Sequence, residues 1–301
     1  MDKLTKLITE SYNEKSTNLD QMSIREVLEL MNEEDRLVPE AVQQVLPTVE
    51  KVVMAVKKAL KNGGRLFYVG AGTSGRIGLL DSVECPPTFS SDPEQVQAVL
   101  AGGEKALMVA VEGAEDDMDL GERDLVQRRV NQRDVVIGIA ASGRTPYVKG
   151  ALKYAKKIGA VTVSLTSNRD SDISQYATYP IEVITGPEIL TGSTRLKAAT
   201  AHKLILNMIS TASMVQVGKV YQNLMIDVNA TNYKLKERAK NIVCEATGVS
   251  YEKATQVLDE TGYVVKPAIV MLLGQVSYEK ANKLLEESNG LVREAIKQSE
   301  R

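Results

Sequence analysis

The sequence predicts an α/β protein: a doubly wound parallel sheet with an N-terminal helical arm and a small C-terminal all-helical domain. Three observations carry this. Short, nearly continuous apolar runs alternate with helix-like stretches between about residues 60 and 220. Such runs suit strands covered on both faces, because each crossover helix buries one face of a parallel sheet. Before them, Val42, Val45, Leu46, Val49, Val52 and Val53 recur at helical spacing. After them, Val249-Ser-Tyr-Glu-Lys-Ala254 returns as Val276 to Ala281, a period of 27. The expected division is 1–56 for the arm, 57–220 for the sheet domain and 221–301 for a linker helix and the repeat.

Residues 1–60 read as helical. Ser23 with Glu26 three residues on has capping-box spacing, and Pro39 opens the next stretch. Arg65–Val69 is the first strand, ending at a glycine-rich turn. Gln95–Leu100 is the second, followed by a helix from about Ala114 to Arg129. Asp134–Ala140 is the third, with a helix from Pro146. Ala160–Leu165 and Ile181–Ile184 complete the sheet, and a long Ala-, Ser- and Thr-rich helix runs from Gly192 to about Val220. In the tail each copy of the repeat reads as helix, glycine turn (Gly262, Gly290) and helix. Two copies make a small bundle, not a solenoid. It resembles a ubiquitin-associated-type module, and packing or dimerisation is its expected role.

Composition narrows the chemistry. The 301 residues carry a net charge of −2, with 43% hydrophobic and 25% charged residues. No run of about 18 apolar residues suggests a membrane span, and the start, with early acids, does not read as a signal peptide. A cytoplasmic location is expected. Near-neutral charge argues against nucleic acid as a partner. Two cysteines and one histidine, His202, make neither a disulfide framework nor a histidine-rich metal site. Catalysis is expected to need neither metal nor cofactor, and to rest on Glu, Asp, Ser, Thr, Lys, Arg and backbone.

Three hydroxyl-rich segments stand at expected helix starts. Gly70-Ala-Gly-Thr-Ser-Gly75 follows the first strand. Its glycines let backbone N–H groups approach an anion at a helix N-terminus. A dinucleotide needs an acid about 20 residues on, where Leu100-Ala-Gly-Gly stands instead. A P-loop needs Gly-Lys-Ser/Thr, which is absent there. Ala140-Ala-Ser-Gly-Arg-Thr-Pro146 follows the third strand, with Thr145 as N-cap and Pro146 as first helical residue. Thr191-Gly-Ser-Thr-Arg195 is the third segment. Ser and Thr often only cap helices, but three such loops in one α/β domain share the crevice at the strand C-termini. The expected phosphate and substrate contacts are Gly72, Thr73, Ser74, Gly75, Ser142, Gly143, Thr145, Ser193 and Thr194.

These strings resemble the sugar isomerase (SIS) domain, and more narrowly the N-acetylmuramic acid 6-phosphate etherases. The resemblance rests on residues 69–89, 110–117, 139–148, 186–207 and 221–235, and extends into the tail. It implies a homodimer that removes D-lactate from N-acetylmuramic acid 6-phosphate by elimination and hydration, leaving N-acetylglucosamine 6-phosphate. This reaction belongs to amino-sugar catabolism and cell-wall recycling. The rival readings are a sugar-phosphate aldose–ketose isomerase and a non-catalytic phosphosugar sensor, a role held by the related glucokinase regulatory protein.

The elimination needs a base and an acid, and with one histidine carboxylates are the natural pair. Glu84 shares a helix face with Ile77 and Leu80, and that apolar setting is expected to favour a retained proton. About nine residues separate it from Gly75, roughly 14 Å of helix. That leaves open a bend in the chain or service to the other subunit's site. Glu115 lies in an acidic cluster where acids also serve helix dipoles; the resemblance makes it the second catalytic carboxylate. Glu188 is a third choice, as a substrate contact or alternative base. Arg76, Arg144, Arg195 and Lys197 read as phosphate or carboxylate partners or as surface charges. His202 reads as packed, and Cys85 lacks a histidine partner for nucleophilic work.

Overall fold

The computed structural model describes residues 7–109, 111–228 and 230–300. Residues 1–6 of the arm, together with Ala110 and Asn229 of the motif strings, lie outside the described residues. The chain forms two compact units. One holds the described residues up to Val83 with Glu94–Ser210, the other Glu84–Pro93 with Thr211 onward.

In the first unit three short 3-10 turns, Ile8–Glu10, Glu14–Ser16 and Leu19–Gln21, precede α1 (Ile24–Asp35) and α2 (Leu37–Lys61). The capping box forms as expected: Ser23 Oγ accepts from the Glu26 N–H, and Glu26 accepts from the Ser23 N–H. The sheet strands are β1 (Leu66–Gly70), β2 (Val96–Leu100), β3 (Val135–Ile139), β4 (Val161–Thr166) and β5 (Tyr179–Glu182). Their order is β2-β1-β3-β4-β5, and every pairing is parallel. β1 and β3 are wholly buried, as continuous apolar strands under helices on both faces should be.

The helices of this unit are α3 (Gly72–Phe89), α4 (Lys105–Met108), α5 (Met118–Gln127), α6 (Pro146–Lys157) and α7 (Lys197–Gln216), of which α3 and α7 run on into the second unit. β5 begins at Tyr179 rather than at the expected Ile181, α2 begins at Leu37 rather than Pro39, and three helix boundaries move by about a turn. α3 continues through Pro86 and Pro87 rather than ending before them, since a proline this late removes only bonds of the final turn. The helix expected from Ala114 begins at Met118, because Asp117 adopts extended backbone and its side chain caps the Leu120 N–H at 2.8 Å. The helix expected from Gly192 begins at Lys197, after a turn.

In the second unit β6 (Val220–Tyr221) and β7 (Leu224–Met225) pair antiparallel. They precede α8 (Tyr233–Thr247), α9 (Tyr251–Glu260), α10 (Val265–Gly274), α11 (Tyr278–Glu287) and α12 (Val292–Ser299). The repeat is exact in backbone detail. Ser250 and Ser277 cap α9 and α11 through the N–H of Lys253 and Lys280, each at 3.3 Å. Tyr263 and Gly290 donate to the Leu258 and Leu285 carbonyls, each at 2.7 Å. Gly262 and Gly290 are therefore not equivalent. The period of 27 pairs Gly262 with Asn289 and Tyr263 with Gly290, and all four have positive φ. Each turn needs two left-handed residues, and glycine fills a different one in each copy. Among the described residues no helix is long and apolar enough to cross a membrane.

Candidate active site

The strand order changes direction between β1 and β3. β1 leads to β2 on one side and β3 to β4 on the other, which opens a crevice at their C-terminal ends. Gly70, Ile139 and Leu165 align across the sheet, so the loops after β1, β3 and β4 rise from one edge. The first two expected loops flank this point.

Thr73 and Ser74 lie in the first turn of α3, where N–H groups lack intrahelical partners, while the Gly75 N–H donates to the Ala71 carbonyl at 3.3 Å. Gly75 is required by contact: a Cβ there would lie 2.1 Å from Leu100 Cδ1 and 2.7 Å from the Gly70 oxygen. Gly72 faces open space at φ +52°. It borders a cavity of about 210 Å³ lined also by Ala71, Arg76, Glu112, Gly113 and Glu115. The structure thus brings Gly72 and Glu115 to one hollow. Arg76 is half-buried at this hollow rather than a surface charge, and its guanidinium donates to the carbonyls of Ala106 at 2.7 Å and Leu107 at 3.2 Å, holding α4. Of the larger hollows, the two most extensive are less suited to this chemistry. One of about 650 Å³ lies at the strand N-terminal ends, beside Arg133, Val161 and Tyr179. One of about 820 Å³ lies along β2, beside Ala98, Leu100 and Leu120. Neither contains Gly72 or Glu115.

In the second loop Ser142 Oγ accepts from the Arg144 N–H at 3.3 Å. Gly143 has φ +70°, and a Cβ there would sit 2.2 Å from Ser171 Cβ. Thr145 holds the N-cap position of α6 but bonds none of its N–H groups with its side chain, which leaves the hydroxyl for other partners. The loop is backed by Asn168, buried beyond β4, whose amide donates to the Ala141 carbonyl at 3.0 Å. Sequence reading passed over Asn168, since its role depends on strand alignment.

Ser193 and Thr194 lie in the turn before α7, not inside the helix. Glu188 is buried and accepts from the N–H groups of Lys197 and Ala198, each at 3.0 Å. Burial pushes its carboxyl up, against the pull of those two bonds and of the Lys197 ammonium. Lys197 is not a surface or substrate-facing charge. It is 2% exposed and pairs with Glu34 of α1 at 2.6 Å. Burial opposes ionisation of Glu34, but Lys197, Lys15 and Asn13 outweigh it and hold the carboxyl below its usual range. His202 is packed, as expected: its Nε2 lies 3.1 Å from Ser167 Oγ, and burial pushes its pKa down to about 4.

Glu115 is exposed in the turn before α5, and its carbonyl accepts the Tyr147 N–H at 3.0 Å. Glu84 is also exposed, beside Leu80 and Val83, which are 53% and 51% exposed. The buried stripe expected around Glu84 is thus absent within this chain: α3 presents it outward. Glu84 falls in the second unit and Glu115 in the first. Cys85 is buried, which suits packing rather than nucleophilic attack. Among the described residues no three His, Cys, Asp or Glu side chains cluster as a metal site.

Comparison with known proteins places this geometry. Residues 47–156 match the glucokinase regulatory protein N-terminal SIS domain, and residues 118–212 match the SIS domain. A phosphoheptose isomerase from Francisella tularensis superposes with a TM-score of 0.48 at 18% identity, covering 65% of this chain and 98% of that one. An N-acetylmuramic acid 6-phosphate etherase from Bacillus cereus is 60% identical over 272 residues, 90% of this chain and 92% of its own length. One from Geobacillus thermodenitrificans is 60% identical over the same shares. With that identity over 90% of the chain, and with SIS matches spanning the strands that build the crevice, the chain belongs to the N-acetylmuramic acid 6-phosphate etherase family.

Proposed function

We propose that this chain cleaves the D-lactyl ether of N-acetylmuramic acid 6-phosphate with water, giving N-acetylglucosamine 6-phosphate and D-lactate. Family membership at 60% identity carries the reading, and the crevice suits it. The phosphate sits against the first turn of α3 and the Ser142–Thr145 loop, where hydroxyls and unpaired N–H groups converge. Ser193 and Thr194 approach from the turn before α7.

In the ring-opened sugar the carbon next to the aldehyde is acidic. Glu115 takes its proton, and the electron pair forms a double bond to the neighbouring carbon as the C–O bond to lactate breaks. Glu84 gives its proton to the departing oxygen. Water then adds across the double bond, hydroxyl to the carbon that lost lactate and hydrogen to its neighbour, so no redox partner or cofactor enters. Glu188 serves as the cap of α7 rather than as a base, since both its oxygens are engaged by backbone.

Glu84 needs a drier setting than this chain gives it. A second copy covering Leu80, Val83 and Glu84 supplies one, and a homodimer is part of the proposal. A cytoplasmic location and the three-part division at residues 56 and 220 belong to it as well. Sedimentation of Leu80→Glu against the unmodified protein tests the dimer: the variant is expected to be monomeric. The direct test of activity is incubation with N-acetylmuramic acid 6-phosphate and measurement of D-lactate, with stoichiometric release expected. Absence of lactate from folded protein contradicts the reading.

A further inference from the structure

The N-terminal segment reaches the same crevice. Asn168, just beyond the C-terminal end of β4, accepts the N–H of Ile8 at 2.7 Å and of Thr9 at 3.4 Å. Its amide donates to Thr9 Oγ1 and to the Ala141 carbonyl, both at 3.0 Å. One buried side chain thus ties residues 8 and 9 to the base of the Ser142 loop. Farther along, Asn13 donates to the Pro187 carbonyl at 3.3 Å and to Glu34 at 2.9 Å. The segment is pinned on both sides of Glu10.

Leu7 and Thr9 are buried, while Glu10 is exposed. Its Oε2 lies 3.2 Å from where a Cβ on Gly192 would stand. The carboxylate therefore lies beside the turn that leads into Ser193 and Thr194, on a segment that Asn168 ties to the base of the Ser142 loop, and among the described residues it has no ion-pair partner. A carboxylate there repels a phosphate and accepts from neutral donors. We infer that Glu10 is a specificity-determining residue that accepts hydrogen bonds from the hydroxyl or amide N–H groups of the sugar. The phosphate turns toward the α3 and α6 loops and the ring toward Glu10. Gly192 leaves room for this carboxylate, because any side chain there would press on it.

The inference rests on the phosphosugar reading of the crevice, so its test uses binding rather than turnover. Calorimetric titration with N-acetylglucosamine 6-phosphate and with glycerol 3-phosphate, which has a phosphate but no sugar ring, is made on the unmodified full chain, Glu10→Gln and Glu10→Ala. Glu10→Ala is expected to lose about 10- to 100-fold in affinity for the amino-sugar phosphate, the range of a hydrogen bond to a charged group. Its affinity for glycerol 3-phosphate stays level or rises. Glu10→Gln, which keeps an acceptor oxygen, lies between the two for the sugar. Equal binding of the sugar phosphate by all three proteins overturns the inference. So does an equal loss of both ligands in Glu10→Ala, or an unmodified protein that binds neither. Lactate release is scored separately, so failure of the etherase reading is not confused with failure of the Glu10 contact.

Discussion

The Tyr147 N–H donates to the Glu115 carbonyl at 3.0 Å. The carboxylate-bearing turn is thereby registered on the first turn of α6, whose preceding loop carries Ser142 and Thr145. α5 and α6 are also in backbone contact. A Cβ on Gly121 would lie 2.0 Å from the Tyr147 oxygen, and one on Gly150 would lie 1.9 Å from the Met118 oxygen. The Tyr147 hydroxyl donates to Asp124 at 2.6 Å. Glu115 and the second loop thus form one rigid piece.

Tyr147→Phe removes the hydroxyl bond and keeps the backbone bond. It is expected to cost about 1–3 kcal/mol of stability, because Asp124 loses a donor, while changing KM little. Gly121→Val, which forces the helices apart, is expected to lower kcat as well as stability. Denaturant unfolding alongside steady-state kinetics distinguishes them; normal kcat in folded Gly121→Val would separate Glu115 from the α5–α6 contact.

Gly72 and Gly143 both have positive φ but differ in surroundings. Gly143→Ala meets Ser171 and is expected to lose about 2–4 kcal/mol. Gly72→Ala meets nothing within 4 Å and is expected to lose about 1–2 kcal/mol from backbone strain alone. Thermal unfolding gives the order; equal losses would contradict the packing described for Gly143.

The buried Lys197–Glu34 pair predicts a mutational asymmetry. Lys197→Met leaves Glu34 with Lys15 at 3.2 Å and Asn13 at 2.9 Å, so it is expected to cost about 1–3 kcal/mol, less than a fully unpaired buried charge, whereas Lys197→Met with Glu34→Leu recovers much of that. Failure of the double variant to recover would show that the pair does more than satisfy its own charges.

His202 predicts a pH dependence. Its pKa lies near 4 in the folded chain, against about 6.5 unfolded. Between these values the unfolded chain binds more protons, so this residue's contribution to stability is full above about 6.5 and is lost as pH falls toward 4, about 3 kcal/mol in all. Glu188, whose carboxyl is raised, acts oppositely above the normal carboxylate range. The difference between the unmodified protein and His202→Gln therefore isolates the histidine. A slope unchanged in His202→Gln would refute the assignment.

The sheet was legible in the sequence because its strands are short apolar runs ending in glycine or hydroxyl residues, and the β1 and β3 loops needed no tertiary knowledge. The roles of the charged residues were not legible. Lys197 follows Arg195 in a loop that looks exposed, and only the fold of α1 brings Glu34 to it across 163 positions. Arg76 donates to carbonyls of a four-residue helix too short to read. Glu84 sits on an apolar stripe as its spacing indicated, but spacing does not say whether a stripe faces inward. In the tail the period of 27 was visible, yet matching glycine to glycine misaligned the turns by one residue, because Tyr263 takes a conformation that favours glycine.

The division of labour between the two carboxylates is tested most directly by following deuterium entry from heavy water into N-acetylmuramic acid 6-phosphate, at the carbon next to the aldehyde. With Glu115 as base and Glu84 as acid, Glu84→Gln is expected to release no D-lactate while the substrate still acquires deuterium. Glu115→Gln is expected to lose both activities, each group contributing about 100- to 10,000-fold. Deuterium entry that persists in Glu115→Gln and vanishes in Glu84→Gln would contradict the account by reversing the two roles.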